Sequence, residues 1–250
     1  MKIGTFITIF NEDWEREFRP LFDVGFDFFE LLPENNDAFT RKRLRRYLKG
    51  YGIILHAPFI EGNLISNSKL IRESSRLYFT HSLSPLLVDY SPKVVTTHLG
   101  FKAFIYSSVY LDEFRKLIKV VPRITFENMP NSTNIWKNPY PSTEEDIDHV
   151  LRRVSCDMTF DVGHFLKQGC DVYRLAKKYM PRIAHIHIHD VVEKIDHQPL
   201  GTGLLDTERF VGILRKESYR GYLSIELKSD DVRGAISSFK ILKKYCASIV

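Results

Sequence analysis

Eight short apolar segments alternate along the chain with eight longer segments of helical periodicity, and this alternation constrains the fold more than any other feature. The short segments are rich in β-branched and aromatic residues and are bounded by Gly, Pro or Asn, as is typical of buried strands. They lie at residues 2–9, 26–31, 52–57, 93–98, 123–128, 156–161, 182–189 and 221–227. Helices are expected at 12–24, 37–50, 68–90, 107–121, 143–154, 171–180, 206–217 and 230–245.

Eight strand–helix units in 250 residues predict an α/β fold, a single (β/α)8 TIM barrel domain spanning residues 1–250. An open doubly wound sheet would show a Gly-rich phosphate loop, and neither GxGxxG nor a Walker sequence occurs. Helix starts follow from caps: Ser142 and Glu145 predict a capping box, and Asp206 predicts a second N-cap.

Composition excludes several other classes of protein. Lys and Arg exceed Asp and Glu by 36 − 31 = 5, an excess that permits an anionic partner without requiring one. Three cysteines without a CxxC spacing predict a reduced, cytoplasmic environment. The apolar start, MKIGTFITIF, is too short for a signal peptide, and no apolar run approaches the roughly 20 residues of a membrane helix. No membrane partner is expected.

Polar residues occupy the strand ends, which is where a (β/α)8 barrel carries its active site. Seven strands in succession deliver a histidine or a carboxylate, and histidines also follow in two of the adjoining loops. Because buried unpaired charges are costly, core packing does not account for such a ring. Histidines and carboxylates without thiolates predict a divalent metal such as Zn²⁺, Mn²⁺ or Co²⁺. The residues are Glu30, His56, His98, Glu127, Asp161, His164, His187, His197 and Glu226.

The run HIHIHD at residues 185–190 places three histidines on one face of a strand. Only one can lie level with ligands from other strands, and His187 is predicted to be that one. His185 would then be a hydrogen-bonded core residue one layer deeper, and His189 would lie at the rim near a substrate. Asp190 faces the other way and is expected to orient a loop or a ligand imidazole.

The motifs HAPF, HLG, FEN, FDVGH, HIHIHD, HQPLGTG and IEL, in this order, resemble the xylose-isomerase-like TIM barrel superfamily. That superfamily contains sugar isomerases and epimerases, and nucleases of the endonuclease IV type. For the isomerase branch the resemblance implies one divalent metal held by Glu127, Asp161, His187 and Glu226. It implies that Glu127 and Glu226 move protons on a small sugar or sugar phosphate through an enediolate, and that His164 holds a substrate hydroxyl.

The same resemblance leaves a nuclease alternative open. In that branch, three zinc ions would use His56 and His98 at one added site and His164 and His197 at the other. An aspartate expected two positions before His197 is replaced by Ile195, which counts against the third zinc. The glutamate and arginine typical of free-ketose 3-epimerases are likewise replaced, by Thr133 and Glu193, which disfavours that substrate class.

DNA would be a partner only under the nuclease alternative. The basic run 41–50 would then contact phosphates, and Phe59 and Ile60 would wedge into the duplex. The favoured interpretations are simpler: a solvated outer helix face for the basic run, and packing at the barrel mouth for the two apolar residues. A non-enzymatic metal-binding barrel is the third alternative. The leading hypothesis is the metal-dependent sugar isomerase or epimerase.

Overall fold

Eight parallel strands close into a barrel in the computed structural model, which confirms the predicted fold class. The model describes residues 1–8, 14–32, 38–58, 61–104, 108–133, 137–228 and 231–247. Its strands are β1 Lys2–Thr8, β2 Phe28–Leu32, β3 Gly52–His56, β4 Val95–Thr97, β5 Ile124–Glu127, β6 Met158–Asp161, β7 Ile183–Ile188, β8 Asp190–Val192, β9 Ile195–Gln198 and β10 Tyr222–Ile225. The closed order is β1-β2-β3-β4-β5-β6-β7-β10.

The eight predicted helices surround the barrel, and one short helix was not predicted. The helices are α1 Trp14–Phe22, α2 Ala38–Tyr47, α3 Lys69–Tyr90, α4 Asp112–Val120, α5 Glu144–Arg153, α6 Val162–Lys167, α7 Val172–Tyr179, α8 Thr207–Lys216 and α9 Val232–Ala247. The unpredicted α6 follows β6 without a loop. The other feature absent from the prediction is the antiparallel hairpin of β8 and β9, which follows β7 directly. Within the described ranges, no helix combines the length and the apolar character needed to cross a membrane.

One of the two predicted helix caps is displaced by a residue. The predicted pair of Ser142 and Glu145 was wrong, because α5 starts at Glu144 and its capping box joins Thr143 to Asp146. The Thr143 hydroxyl accepts a hydrogen bond from the Asp146 N–H at 3.2 Å, and the Asp146 carboxylate accepts one from the Thr143 N–H at 3.3 Å. The Asp206 cap is confirmed, since its carboxylate accepts from the Arg209 N–H at 2.9 Å.

A layer of three buried threonines lies inside the barrel, and each precedes His98, Glu127 or Asp161 by two residues. Thr96, Thr125 and Thr159 belong to β4, β5 and β6, and alternate side chains along a strand face the same way. The Thr159 hydroxyl lies 3.0 Å from that of Thr96 and 2.7 Å from that of Thr125. The hydroxyls of this threonine layer are therefore linked by hydrogen bonds beneath His98, Glu127 and Asp161.

Candidate metal centre

Four side chains from four strands converge at the mouth of the barrel. Glu127 and Asp161 end β5 and β6, His187 lies in β7, and Glu226 follows β10 directly. One potential ligand atom from each lies within 4.8 Å of the other three. His187 Nδ1 is 3.1 Å from Glu226 Oε2, 3.3 Å from Glu127 Oε1 and 3.8 Å from Asp161 Oδ2. We call these four residues the ligand layer.

Three of the converging atoms are buried without a hydrogen-bond partner. They are Glu127 Oε1, His187 Nδ1 and Glu226 Oε2. Buried polar atoms normally have a partner, because leaving one unsatisfied costs about 1–3 kcal/mol. Three carboxylates and one imidazole form a donor set that suits Zn²⁺, Mn²⁺ or Co²⁺. The residues present therefore fit a divalent metal.

The four residues of the ligand layer shift one another's pKa values. Burial opposes ionisation, but the charge of His187 holds the pKa values of Glu127 and Glu226 well below their ordinary range. Burial would lower the pKa of His187, but Glu30, Glu226 and Glu127 together raise it well above its usual value. Burial and the neighbouring carboxylates raise the pKa of Asp161 to about 7. The charge of each residue in the ligand layer therefore depends on the charges of the others.

Glu30 orients His187 from below. The strand prediction ended near Glu30, but β2 continues to Leu32, so Glu30 lies in mid-strand and one layer deeper than a strand-end residue. His187 Nε2 lies 3.0 and 3.1 Å from the two Glu30 oxygens. Since a carboxylate can only accept, Nε2 carries a proton and Nδ1 faces the ligand layer. His185 donates to the same carboxylate at 2.9 Å, which confirms it as a hydrogen-bonded core histidine.

A second group shares Glu127 through its other oxygen. His56 Nε2 lies 3.4 Å and His98 Nε2 3.0 Å from Glu127 Oε2. The three side chains form another cluster with metal-ligand spacing. His56 Nδ1 donates to the Ala57 carbonyl at 2.8 Å, and this bond directs Nε2 toward Glu127. Phe59 and Ile60, proposed above as DNA wedges, lie outside the described residues.

Three further histidines meet beside Asp161. His164, His189 and His197 have potential ligand atoms within 4.8 Å of one another. His164 Nδ1 donates to the Asn128 carbonyl at 2.9 Å, and His197 Nδ1 to the Glu226 carbonyl at 3.2 Å. The prediction that His189 lies at the rim was wrong: its side chain is fully buried, because the β8–β9 hairpin folds over it.

Two hairpin residues just before His197 bear on the third zinc of the nuclease alternative. Ile195 is 52% exposed on the hairpin. The neighbouring Asp196 directs its carboxylate to the Lys167 ammonium, 2.8 Å away. Asp196 is therefore occupied by an ion pair, as the sequence departure at Ile195 implied for this side of the centre.

Sequence reasoning missed one supporting residue, Asn128, and predicted the role of another, Asp190, only in part. Asn128 was missed: its amide donates to the Asp161 carbonyl at 3.0 Å and accepts from the Asp161 N–H at 2.8 Å, which ties β5 to β6. The FEN motif places this residue directly after Glu127. Asp190 was expected to orient a loop or an imidazole, and it holds a loop. Its carboxylate accepts from the backbone N–H groups of Val191, Gly201, Thr202, Gly203 and Leu205.

Comparison with known proteins places most of the chain in one family. Residues 18–245 match the family model described as xylose isomerase-like TIM barrel. The uncharacterized protein MJ1188 of Methanocaldococcus jannaschii is 29% identical over 266 aligned positions, which cover 93% of this chain and 90% of the relative. Inosose dehydratase of Clostridium botulinum is 29% identical over 109 positions, 35% of this chain and 37% of that enzyme.

Solved structures share the fold at lower sequence identity. A D-tagatose 3-epimerase-like protein superposes with a TM-score of 0.80 and 22% identity, covering 98% of this chain and 97% of the other. The 3-keto-D-glucoside 4-epimerase YcjR of E. coli gives a TM-score of 0.73 and 19% identity, with 98% and 99% coverage. At these identities the likeness establishes the barrel fold alone.

Proposed function

Because the chain belongs to the xylose isomerase-like TIM barrel family, we propose that it is a divalent-metal-dependent isomerase or epimerase. Its substrate would be a small sugar, a sugar phosphate or a related hydroxy-carbonyl compound. The observation that carries the proposal is the convergence of three unpartnered buried atoms, from Glu127, His187 and Glu226, at the barrel mouth. Asp161 completes the four-residue ligand layer.

In this proposal the protein's own residues position the substrate and move the proton. When bound, a divalent metal supplies a Lewis acid that stabilises the negative charge of an enediolate. Glu127 and Glu226 enter from β5 and from the end of β10, so their carboxylates could accept and return the proton at the substrate carbon. His164, whose Nδ1–H is committed to the Asn128 carbonyl, offers Nε2 to a substrate hydroxyl.

The similarity to inosose dehydratase widens the substrate panel without changing the first step. An inosose is a cyclic hydroxy-ketone, and dehydration next to its carbonyl can begin with loss of the same type of α-proton. The aligned part covers only 37% of that enzyme. We therefore include inososes beside ketoses, aldoses and their phosphates as hydroxy-carbonyl candidates.

Solvent-deuterium exchange at the substrate's α-carbon tests the proposal directly. Metal-loaded wild type is incubated with each candidate in D2O, and incorporation is followed by NMR. Glu127→Gln and Glu226→Gln should each lower exchange by about 100- to 10,000-fold, the usual range for a lost acid–base group. Glu208→Gln, an exposed residue of α8, is the matched control and should exchange like wild type. Retained exchange in either site variant would contradict the assigned roles.

A second candidate function is zinc-dependent hydrolysis of the phosphodiester at abasic sites in DNA. The observation in its favour is the group of His56, His98 and Glu127, which offers a second cation position through the shared Glu127 carboxylate. Incision of a duplex oligonucleotide with one abasic site would support it. Lys42→Ala, at an exposed position of the basic run, should weaken such incision at physiological salt and leave sugar turnover unchanged.

A further inference from the structure

His189, the third histidine of the HIHIHD run, connects the β8–β9 hairpin to the ligand layer. Its side chain is fully buried, and both ring nitrogens are engaged. Nδ1 lies 2.9 Å from the backbone nitrogen of His197, and Nε2 lies 3.1 Å from Asp161 Oδ2. We infer that His189 is a positioning residue that holds the Asp161 carboxylate in the orientation required for metal binding. This inference rests on the proposed function of the ligand layer.

The backbone decides which nitrogen of His189 carries the proton. The His197 N–H can only donate, so His189 Nδ1 must present a lone pair to it. A proton on Nδ1 would point at another N–H across 2.9 Å, and the alternative acceptor, the Asp190 carbonyl, is farther away at 3.4 Å. The neutral imidazole is therefore protonated on Nε2, from which it donates to Asp161.

Both oxygens of Asp161 are held as a result. Oδ1 accepts from the His164 N–H at 2.6 Å, as the N-cap of α6, and Oδ2 accepts from His189. Two donors on opposite oxygens prevent rotation of the carboxylate. Oδ2 then remains 3.8 Å from His187 Nδ1, within the ligand layer. Partners that orient a metal ligand in this way are typically worth about 10- to 100-fold in metal affinity.

The backbone around His189 is shaped to accept this ring. A Cβ at Gly163 would lie 1.9 Å from His189 Cε1, so only glycine leaves room for the imidazole at that point of α6. His197 has a φ of 55°, in the left-handed region, and its ring stacks on that of His189 at 4.3 Å between centroids. The hairpin thus both covers His189 and fixes its tautomer.

The same contacts argue against a second metal at the three-histidine group. A ligand nitrogen must be free of protons and donors, whereas His189 accepts a hydrogen bond on Nδ1 and donates one from Nε2. Coordination through Nδ1 would cost the hydrogen bond from the His197 N–H, and coordination through Nε2 would cost both bonds because the proton would have to move to Nδ1. We therefore assign it to the support of Asp161 and not to a separate site.

Cobalt titration of His189 variants tests the inference. Co²⁺ is added to metal-free protein, and the dissociation constant is measured from its visible absorption. His189→Phe keeps the ring shape but removes both nitrogens, and we expect about 10- to 100-fold weaker binding. His189→Gln keeps a side-chain donor and should recover part of the affinity. His149→Phe is the matched control and should bind like wild type. His149 lies on α5, and its ring is hydrogen-bonded to the Tyr140 hydroxyl.

A second measurement needs no variant. In metal-free wild type labelled with ¹⁵N-histidine, long-range ¹H–¹⁵N spectra should show His189 protonated on Nε2 and bare on Nδ1. An Nδ1–H tautomer would overturn the inference, and so would unchanged Co²⁺ affinity in His189→Phe. If wild type binds no Co²⁺, the proposed function and the positioning role fail together. If wild type binds and His189→Phe binds equally well, only the positioning role fails.

Discussion

The threonine layer and the ligand layer lie two residues apart along β5 and β6, the two strands that they share, yet they differ in how their polar atoms are satisfied. Thr96, Thr125 and Thr159 hydrogen-bond to one another. In the ligand layer, Glu127, His187 and Glu226 each direct a buried atom at a common point without a hydrogen-bond partner. The threonine hydroxyls are satisfied by protein groups, whereas in the proposed function a bound cation would supply the partners that the ligand layer lacks. This difference distinguishes a layer whose hydrogen bonds stabilise the fold from a layer whose arrangement suits ligand binding.

Removing one ligand should produce the largest effect. Glu127→Gln withdraws the negative charge shared by both metal-ligand groups. Because loss of an outer partner already costs about 10- to 100-fold, we expect loss of this ligand to weaken Co²⁺ binding at least 100-fold. Competition titration against a chelator measures the change, with Glu208→Gln as the control. Unchanged affinity would mean that the ligand layer does not bind metal.

The second largest difference between the two layers should appear in how stability depends on pH, because only the ligand layer contains titratable side chains. In metal-free protein, folding raises the pKa of Asp161 from an ordinary value near 3.8 to about 7. Between these values the folded state keeps a proton that the unfolded state has lost, so stability falls as pH rises. The slope would be about 1.4 kcal/mol per pH unit from this group. Urea unfolding with EDTA at several pH values between 4 and 8 measures it.

Asp161→Asn should remove the part of that pH dependence that Asp161 contributes, since the amide does not titrate. Thr159→Val should leave it as steep as in wild type. Equal slopes in wild type and Asp161→Asn would show that Asp161 is ionised throughout this range.

Adding metal should stabilise the protein through the ligand layer alone. A ligand that binds only the folded state at 100 times its dissociation constant contributes about 2.7 kcal/mol. Melting temperature should therefore rise with Co²⁺ concentration in wild type and Thr159→Val. Glu127→Gln should show little rise at the same concentrations. An equal rise in all three proteins would place the cation elsewhere.

Disrupting the threonine layer should have the smallest effect, and on stability only. Thr159→Val removes the hydroxyl that bonds both Thr96 and Thr125. We expect a loss of about 1–3 kcal/mol in the free energy of unfolding, because two buried hydroxyls lose a partner. Co²⁺ affinity should not change. Weaker Co²⁺ binding in this variant would show that the two layers are coupled.

Much of the fold was predictable because it depends on local periodicity. Strand segments of about the right length, separated by helical segments, give the barrel, and alternation along each strand gives the residues at its mouth. The relative depths of His185 and His187 followed from the same period of two. Glu30 was placed at a strand end because the predicted strand stopped at 31, whereas β2 runs to Leu32.

The remaining features depend on neighbours that are distant in sequence or on backbone direction. The burial of His189 requires the β8–β9 hairpin, and its tautomer requires the left-handed conformation of His197. Neither leaves a periodic signal in the sequence. Helix α6 is only six residues long, and its N-cap Asp161 is also the last residue of β6, so no loop marks its start. The family resemblance supplied the metal-ligand set, which the structure brings together but which periodicity alone would not single out.

The anchoring of residues 201–205 by Asp190 bears on how this barrel can diversify. All five groups that donate to the carboxylate belong to the main chain, so the anchor does not depend on the side chains that the loop carries. Only backbone geometry is restricted: Gly201 has a φ of 83°, and a Cβ at Gly203 would lie 2.1 Å from the Val191 carbonyl oxygen. The exposed side chain of Leu204 is free to vary, whereas the Thr202 hydroxyl donates to the Pro199 carbonyl at 2.7 Å. Selection can thus alter the surface beside the barrel mouth while the strands and their ligands stay fixed.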